Sequence, residues 1–208
     1  MNKIKKYWNR NFAEKGLIWG DKHNMFAEMV SQNVDSKDKL LLDLGCGYGR
    51  DSDYLYKRGF RVYGIDVSET AIAMAKIQYP EIQFKIGDMR KLDFGDNHFD
   101  IIFIYSVLHL FNKVDRKKIL QEIYRVLKPN ASAYCCVASI NDADYGTGNK
   151  VAKNSYRNKR GVVKHFFEKD EITGMFKHFS NINISEEKIY HTHDFDHVHS
   201  NFNIIAQK

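Results

Sequence analysis

Glycines at 45, 47 and 49 alternate with Cys46 and Tyr48 directly after an apolar run, in the stretch LLDLGCGYGRDS, and Asp43 stands two residues ahead of the first. Glycine lets a backbone approach a ligand closely. Glycine loops that follow a strand commonly hold phosphate, which a carboxylate at the mouth would repel. The dinucleotide fingerprint needs a small third residue where Arg50 stands, and the Gly-Lys-Ser/Thr ending of a phosphate-binding loop is absent. A ligand carrying positive charge suits the pattern better, with Asp43 as partner of an ammonium, directly or through water. Asp66 ends a second apolar segment, where an acid accepts both hydroxyls of a ribose. In GDM, the Asp88 carboxylate can accept from an exocyclic amine while the Met89 N–H donates to a ring nitrogen. Together these groups ask for a purine nucleoside that bears an amino-acid cation.

Other residues offer chemistry with plainer alternatives. His109, in YSVLHLF, is either a base or substrate-orienting group, or simply a packing residue beyond a strand end. Tyr105 and Ser106 at the same strand end are read as pocket lining. The stretch HTHDFDHVH holds four of the nine histidines, and alternation around a DFD turn puts His191, His193, His197 and His199 on one face. Imidazoles converging there are zinc or nickel ligand types. No Cys–His spacing signature accompanies them, so no metal is assigned, and His193 and His197 are read as substrate contacts. Between Asn149 and Lys164 lie Lys150, Lys153, Arg157, Lys159, Arg160 and Lys164 without an acid, which reads as a solvated loop.

The elements that must position these groups alternate in kind. KLLLDL (39–44), RVYGID (61–66), IQFKI (82–86), FDIIFIYSV (99–107) and ASAYCCVAS (131–139) read as strands. Helices are expected from Arg50 to Lys57, over ETAIAMAKIQ with Ser68 as its cap, over RKKILQEIYRVLKP, and, shorter, over EKDEITGMFKHF. The last stretch, from Asn181, reads as two strands joined by a turn. Such alternation builds a doubly wound α/β sheet, with the ligand beyond the carboxyl ends of its strands at the switch point.

In order and at usual spacing, LLDLGCGYGRDS, VYGIDVS, GDMRKLDF, FDIIFIYSVLHLF and EIYRVLKPNASAY resemble the successive motifs of the class I S-adenosylmethionine-dependent methyltransferases. The resemblance runs from about Trp8 to the C-terminus. It implies a Rossmann-like, seven-stranded, mostly parallel sheet with an antiparallel last strand. It also implies S-adenosylmethionine as cofactor, S-adenosylhomocysteine as product, and cofactor contacts at Asp43, Gly45, Cys46, Gly47, Gly49, Asp66, Val67, Asp88, Met89, Tyr105 and Trp19. Cys46 reads as a small residue that fits the loop rather than a reactive thiol. The opening segment YWNRNFAEKGLIWGDKH is similar to that of the thiopurine- and tellurite-resistance-type small-molecule methyltransferases, in which it forms a lid; Tyr7, Trp8 and Trp19 are the lid residues this implies. The acceptor is then a small molecule, a thiol, amine, hydroxyl or metalloid. An anionic one is expected if the insert after strand five roofs the pocket with Lys150, Arg157 and Lys164.

One domain over 1–208 is expected, divided into a lid segment (1–38), a cofactor-binding core (39–139) and a substrate-side insert with terminal hairpin (140–208). A composition 43% hydrophobic and 28% charged is that of a globular protein. No apolar run reaches a membrane span, and no export signal is read. Three cysteines, two of them adjacent, suggest reduced thiols in the cytoplasm. A formal charge of +6 leaves an RNA methyltransferase as the alternative, although about forty residues before the first strand are few for an RNA-binding domain. A non-catalytic binder of the same cofactor is the other alternative.

Overall fold

The computed structural model describes residues 2–191 and 197–208. In chain order it contains helices α1 (Asn2–Lys15) and α2 (Met25–Asn33), strand β1 (Leu40–Leu44), α3 (Arg50–Lys57), β2 (Arg61–Asp66), α4 (Glu69–Gln78), β3 (Gln83–Ile86) and β4 (Phe99–Tyr105). A short 3-10 turn (Leu108–Leu110), α5 (Lys113–Val126), β5 (Leu127–Ala138), β6 (Asn149–Ala152), β7 (Ser155–Arg157), β8 (Val163–His165), α6 (Lys169–Met175), β9 (Ser180–His191) and β10 (His197–Gln207) follow. Seven strands form one sheet in the order β3-β2-β1-β4-β5-β10-β9. The first five are parallel, and β10 runs antiparallel to both of its neighbours. This is the Rossmann-like α/β sheet with an antiparallel last strand that the motif order implies. Among the described residues no helix is long and apolar enough to cross a membrane.

Strand alternation decides which face each side chain serves. Leu40, Leu42 and Leu44 pack with Ile119 and Ile123 of α5. Leu41, one residue out of step, packs with Phe26, Leu55 and Ile72 of α2, α3 and α4, because successive strand side chains point to opposite faces. Every residue of β1 is buried, as suits a central strand covered on both sides. Asp43 shares the face of Leu41 and therefore lies under α3.

Helix starts follow their caps. Ser68 accepts from the Ala71 N–H at 3.2 Å, and Asn112 accepts from the Asp115 N–H at 2.9 Å. The second cap starts α5 three residues earlier than the apolar stripe suggests. The same helix stops at Val126, so Pro129 lies inside β5 and not at a helix end. It falls in an irregularity between the Phe99–Leu127 and Ile101–Ser132 pairings, where its missing N–H breaks no ladder bond.

The basic segment is not a loop. Strands β6, β7 and β8 form a small antiparallel sheet, with Tyr145, Tyr156 and Phe166 packed edge to face. These rings, interleaved with the bases, give the segment a core of its own. Phe167 ties it to the main sheet, its N–H donating to the Ala138 carbonyl at 2.8 Å.

Gly64 shows how tightly β2 is packed. A Cβ there would lie 2.4 Å from Phe84 Cδ1 and 2.9 Å from Cys46 Sγ. Overfilling a core costs about 1–3 kcal/mol. Gly64→Ala should therefore lower the Tm by about 2–4 °C per kcal/mol in a domain this size, as followed by thermal circular dichroism; an unchanged Tm would contradict this packing.

Candidate active site

A cavity of about 1200 Å³ opens beyond the carboxyl ends of β1, β2 and β4. Strand order reverses at this point, since β1 lies between β2 and β4, and open α/β sheets bind their ligands there. Gly47 and Gly49 both have positive φ, at 55° and 85°. Gly49 begins α3 and is a packing residue: a Cβ on it would meet Phe84 Cζ at 2.8 Å. Gly47 is different, because a Cβ on it would meet nothing nearer than Phe12 Cζ at 3.6 Å and Trp19 Cζ3 at 3.8 Å. Its backbone thus lines an open cradle roofed by two rings. Gly45 and Cys46 line the cavity as well, while Gly49 does not. Burial and the nearby Asp43 and Asp66 push the Cys46 thiol well up, so it stays protonated and unreactive.

The three expected carboxylates take three different roles. Asp66 lines the cavity; its Oδ2 accepts from the Gly47 N–H at 3.0 Å and its Oδ1 from the Ser68 N–H at 2.8 Å. Burial raises its pKa, against the pull of these backbone bonds. Among the described residues, Asp51, Asp88, Asp115 and Asp142 on the cavity wall all pair with a cation, and Asp66 does not. Asp88 lines the cavity too, but Arg90 clamps it through Nε and Nη2, at 3.0 and 2.9 Å. Burial opposes its ionisation, and the Arg90 bonds overcome that and hold it below the ordinary value. Asp43 departs from expectation. It is buried, is not part of the cavity wall, and accepts from the Ser52 hydroxyl at 2.6 Å. Burial pushes its pKa up to about 8, so near neutral pH it offers little charge to a ligand. The reason is the alternation of β1: an acid two residues after Leu41 faces α3, and Asp43 anchors that helix to the loop.

Val67, Met89, Tyr105 and Ser106 complete the wall near the glycine loop. Only 7% of Met89 is exposed and it packs in the core, so its side chain fills space beside the cavity. The N-terminal helix supplies the roof. Gly16 ends α1 in a left-handed turn, its N–H bonding to the Phe12 carbonyl at 2.9 Å. Trp8, Phe12, Trp19 and Tyr48 form one ring cluster. Tyr48 hydroxyl donates to the Gly20 carbonyl at 2.6 Å, and Arg50 Nη1 donates to the Trp19 carbonyl at 2.9 Å. Glycine-loop side chains thus hold the roof down. Trp8 and Trp19 line the main cavity, whereas Tyr7 lines only an adjoining one.

The opposite wall holds the substrate-side groups. His109 lines it but is 8% exposed, and its Nδ1 has no hydrogen-bond partner among the described residues. Burial, assisted by Lys164, drives its pKa down to about 3. A ring so hard to protonate is a poor proton acceptor, so His109 fits orientation better than the base role. A pair not singled out as such from sequence sits nearby: His199 Nδ1 donates to Asp142 Oδ2 at 3.0 Å, and both residues line the cavity. Asp142 is buried and also accepts from the Ser200 and Asp144 N–H groups. Although burial resists its ionisation, the His199 bond and Lys164 bring its pKa down to about 2. The bond to Asp142 raises His199 above its ordinary value, against burial. Asp142, Asp144 and His199 bring donor atoms within 4.8 Å of one another. Lys164 Nζ, 3.6 Å from Asp142 and 3.5 Å from Asp144, already supplies the cation there.

Two expected substrate bases are misplaced. Lys150 and Arg157 lie exposed on β6 and β7, away from the cavity, because the segment folds into its own sheet. Lys164 does reach the cavity, at the end nearest β5. The expectations for His193 and for the side chain of His197 lie outside the described residues.

The comparisons point to the same fold. Residues 42–135 match the family model described as a methyltransferase domain. An uncharacterized methyltransferase of Synechocystis is 35% identical over 105 residues, which are 50% of this chain and 50% of that protein. The chain spans about half the length of the first curated relatives it matches. Among solved structures, an S-adenosylmethionine-dependent methyltransferase of Methanosarcina mazei superposes with a TM-score of 0.74 at 24% identity, covering 86% of this chain and 96% of that one. A Burkholderia thailandensis 1,6-didemethyltoxoflavin-N1-methyltransferase, solved with 1,6-didemethyltoxoflavin and S-adenosylhomocysteine, gives 0.74 at 18% identity over 100% of this chain and 89% of that one. Residues 42–135 thus match a methyltransferase domain, and the glycine cradle, the cavity acid Asp66 and the antiparallel last strand lie on the fold shared with solved S-adenosylmethionine-dependent methyltransferases.

Proposed function

We propose that this protein transfers the methyl group of S-adenosylmethionine to a small-molecule acceptor held between the glycine loop and the β5–β10 end of the cavity. The observation that carries the reading is Asp66, a cavity carboxylate without a cationic partner among the described residues, held by the N–H of a cavity-lining glycine that lies beneath the Phe12 and Trp19 rings. These residues fit a ribose and a close-lying chain. When bound, the cofactor supplies an electrophilic methyl carbon on a sulfonium.

The chain's own part is chiefly positioning, which can supply on the order of 7–11 kcal/mol of a barrier. Trp8, Phe12 and Trp19 cover the loop. Neutral His109 orients the acceptor. A thiolate or neutral amine needs no more, whereas a hydroxyl must lose a proton. His199, its tautomer set by Asp142 at Nδ1, carries its basic lone pair on Nε2 and is the base for that case. A small-molecule acceptor is supported by the neighbour solved with 1,6-didemethyltoxoflavin and by the likeness of the opening segment to thiopurine- and tellurite-resistance-type enzymes. The free thiols of Cys46, Cys135 and Cys136 support a cytoplasmic setting.

Calorimetric titration with S-adenosylhomocysteine and, separately, with NAD tests the cofactor. Saturable binding of the first alone is expected; binding of NAD alone would overturn the reading. A screen of thiols, amines, phenols and metalloid anions with methyl-labelled cofactor then tests transfer.

A further inference from the structure

A second cavity of about 600 Å³ lies between α1 and the turn joining β7 to β8. Trp8, Trp19, Leu110 and Lys164 line both it and the main cavity, so the two are chambers of one cleft. Its volume is within the range of a small-molecule site. The chambers differ in charge. Five aspartates, at 51, 66, 88, 115 and 142, offset the bases Lys22, Arg50, Arg90 and Lys164 in the main one, whereas Lys15, Arg160 and Lys164 line the second and no acid does. Among the described residues neither Lys15 nor Arg160 forms an ion pair. Such bases in a partly enclosed chamber raise the local concentration of anions. Beside them stand the flat faces of Tyr7 and Trp8, themselves in edge contact at 5.1 Å.

We infer that this chamber holds the anionic end of the methyl acceptor, and that the acceptor is a planar, conjugated acid. The inference rests on the methyltransferase reading for the word acceptor, but the anion site stands on its own lining. Tyr7 and Trp8 supply the apolar faces for a ring, and the guanidinium of Arg160 supplies paired donors for a carboxylate, sulfonate or phosphate. Lys164, at the junction of the chambers, is balanced by Asp142 and Asp144, so Lys15 and Arg160 set the preference for charge.

The chain's two tryptophans, Trp8 and Trp19, line both chambers, so with the main cavity saturated by S-adenosylhomocysteine their fluorescence reports on this one. The test titrates naphthalene-2-sulfonate and its uncharged sulfonamide against the full chain, with and without saturating S-adenosylhomocysteine. The sulfonate should bind about tenfold more tightly or better, the scale of one charge-assisted hydrogen bond, and the margin should shrink at high salt. Lys15→Gln with Arg160→Gln, and separately the double glutamate variant, should abolish the margin while S-adenosylhomocysteine still binds within about twofold of wild type. Equal affinity of the two probes for wild type, or a margin that survives both variants, overturns the inference. If the margin appears and is lost as expected while S-adenosylhomocysteine fails to bind wild type, the anion site stands and the methyltransferase reading falls.

Discussion

Replacing Asp66 with alanine should weaken S-adenosylhomocysteine binding by about 100-fold, while Asp43→Asn changes it by less than about threefold. The first figure follows from two lost hydrogen bonds to a charged acceptor, each about 1.5 kcal/mol or more. Loop damage adds to it, since the Gly47 and Ser68 N–H groups lose their shared acceptor. Asp66→Asn keeps the shape without the charge and should fall between. The second figure follows from burial: Asp43 touches Ser52 rather than the cavity, and with a pKa of about 8 it resembles its amide near neutral pH. Stability separates the two further. A carboxyl raised from 3.8 to about 8 favours the folded state fully at pH below 3.8 and loses that contribution as pH climbs towards 8. Wild type should therefore lose Tm over that range relative to Asp43→Asn. Calorimetric affinities and Tm against pH decide the matter. If Asp43→Asn were the variant that destroyed binding, the glycine-loop acid would be a ligand contact after all.

Spacing alone locates the loop, the β2 acid and the sheet, because short apolar strands bounded by glycine leave few topologies. The direction of Asp43 is legible in the same pattern, since a period of two ties it to Leu41, although its proximity to the glycines suggests a ligand contact. His199 with Asp142 is a harder case. They are 57 residues apart and meet because β10 inserts beside β5, with Asn201 opposite Ala138. No local pattern specifies that register. The basic segment carried a visible signal, its interleaved Tyr145, Tyr156 and Phe166, which marks a small sheet rather than a solvated loop. Lys15 ends the first helix and Arg160 lies in the turn between β7 and β8, and only the docking of α1 beside the insert makes them neighbours of one chamber.

Asp142→Asn is the substitution that tells a base from a packing histidine. In wild type the bond to Asp142 holds the His199 ring above 6.5, and its bond to His199 and the nearby Lys164 bring Asp142 down to about 2. Signs follow directly. The contribution of His199 to stability is complete below its unfolded value near 6.5 and disappears as pH rises through the raised folded value. That of Asp142 is complete above 3.8 and is lost only as pH falls towards about 2. The variant should therefore flatten the dependence of Tm on pH just above 6.5 and lower the His199 midpoint seen by NMR titration. Methyl transfer to a hydroxyl acceptor should rise with pH through that midpoint in wild type. It should fall by about 10²–10⁴-fold in His199→Gln, the usual contribution of a positioned base. Transfer to a thiolate acceptor, which needs no base, should change far less in the same variant. A purely structural pair predicts the opposite combination: equal losses for both acceptors, tracking the loss of Tm, with no shift of the pH–rate midpoint in Asp142→Asn. The two outcomes cannot coincide, because a folding defect acts on every acceptor alike while a missing base acts only on one that must surrender a proton.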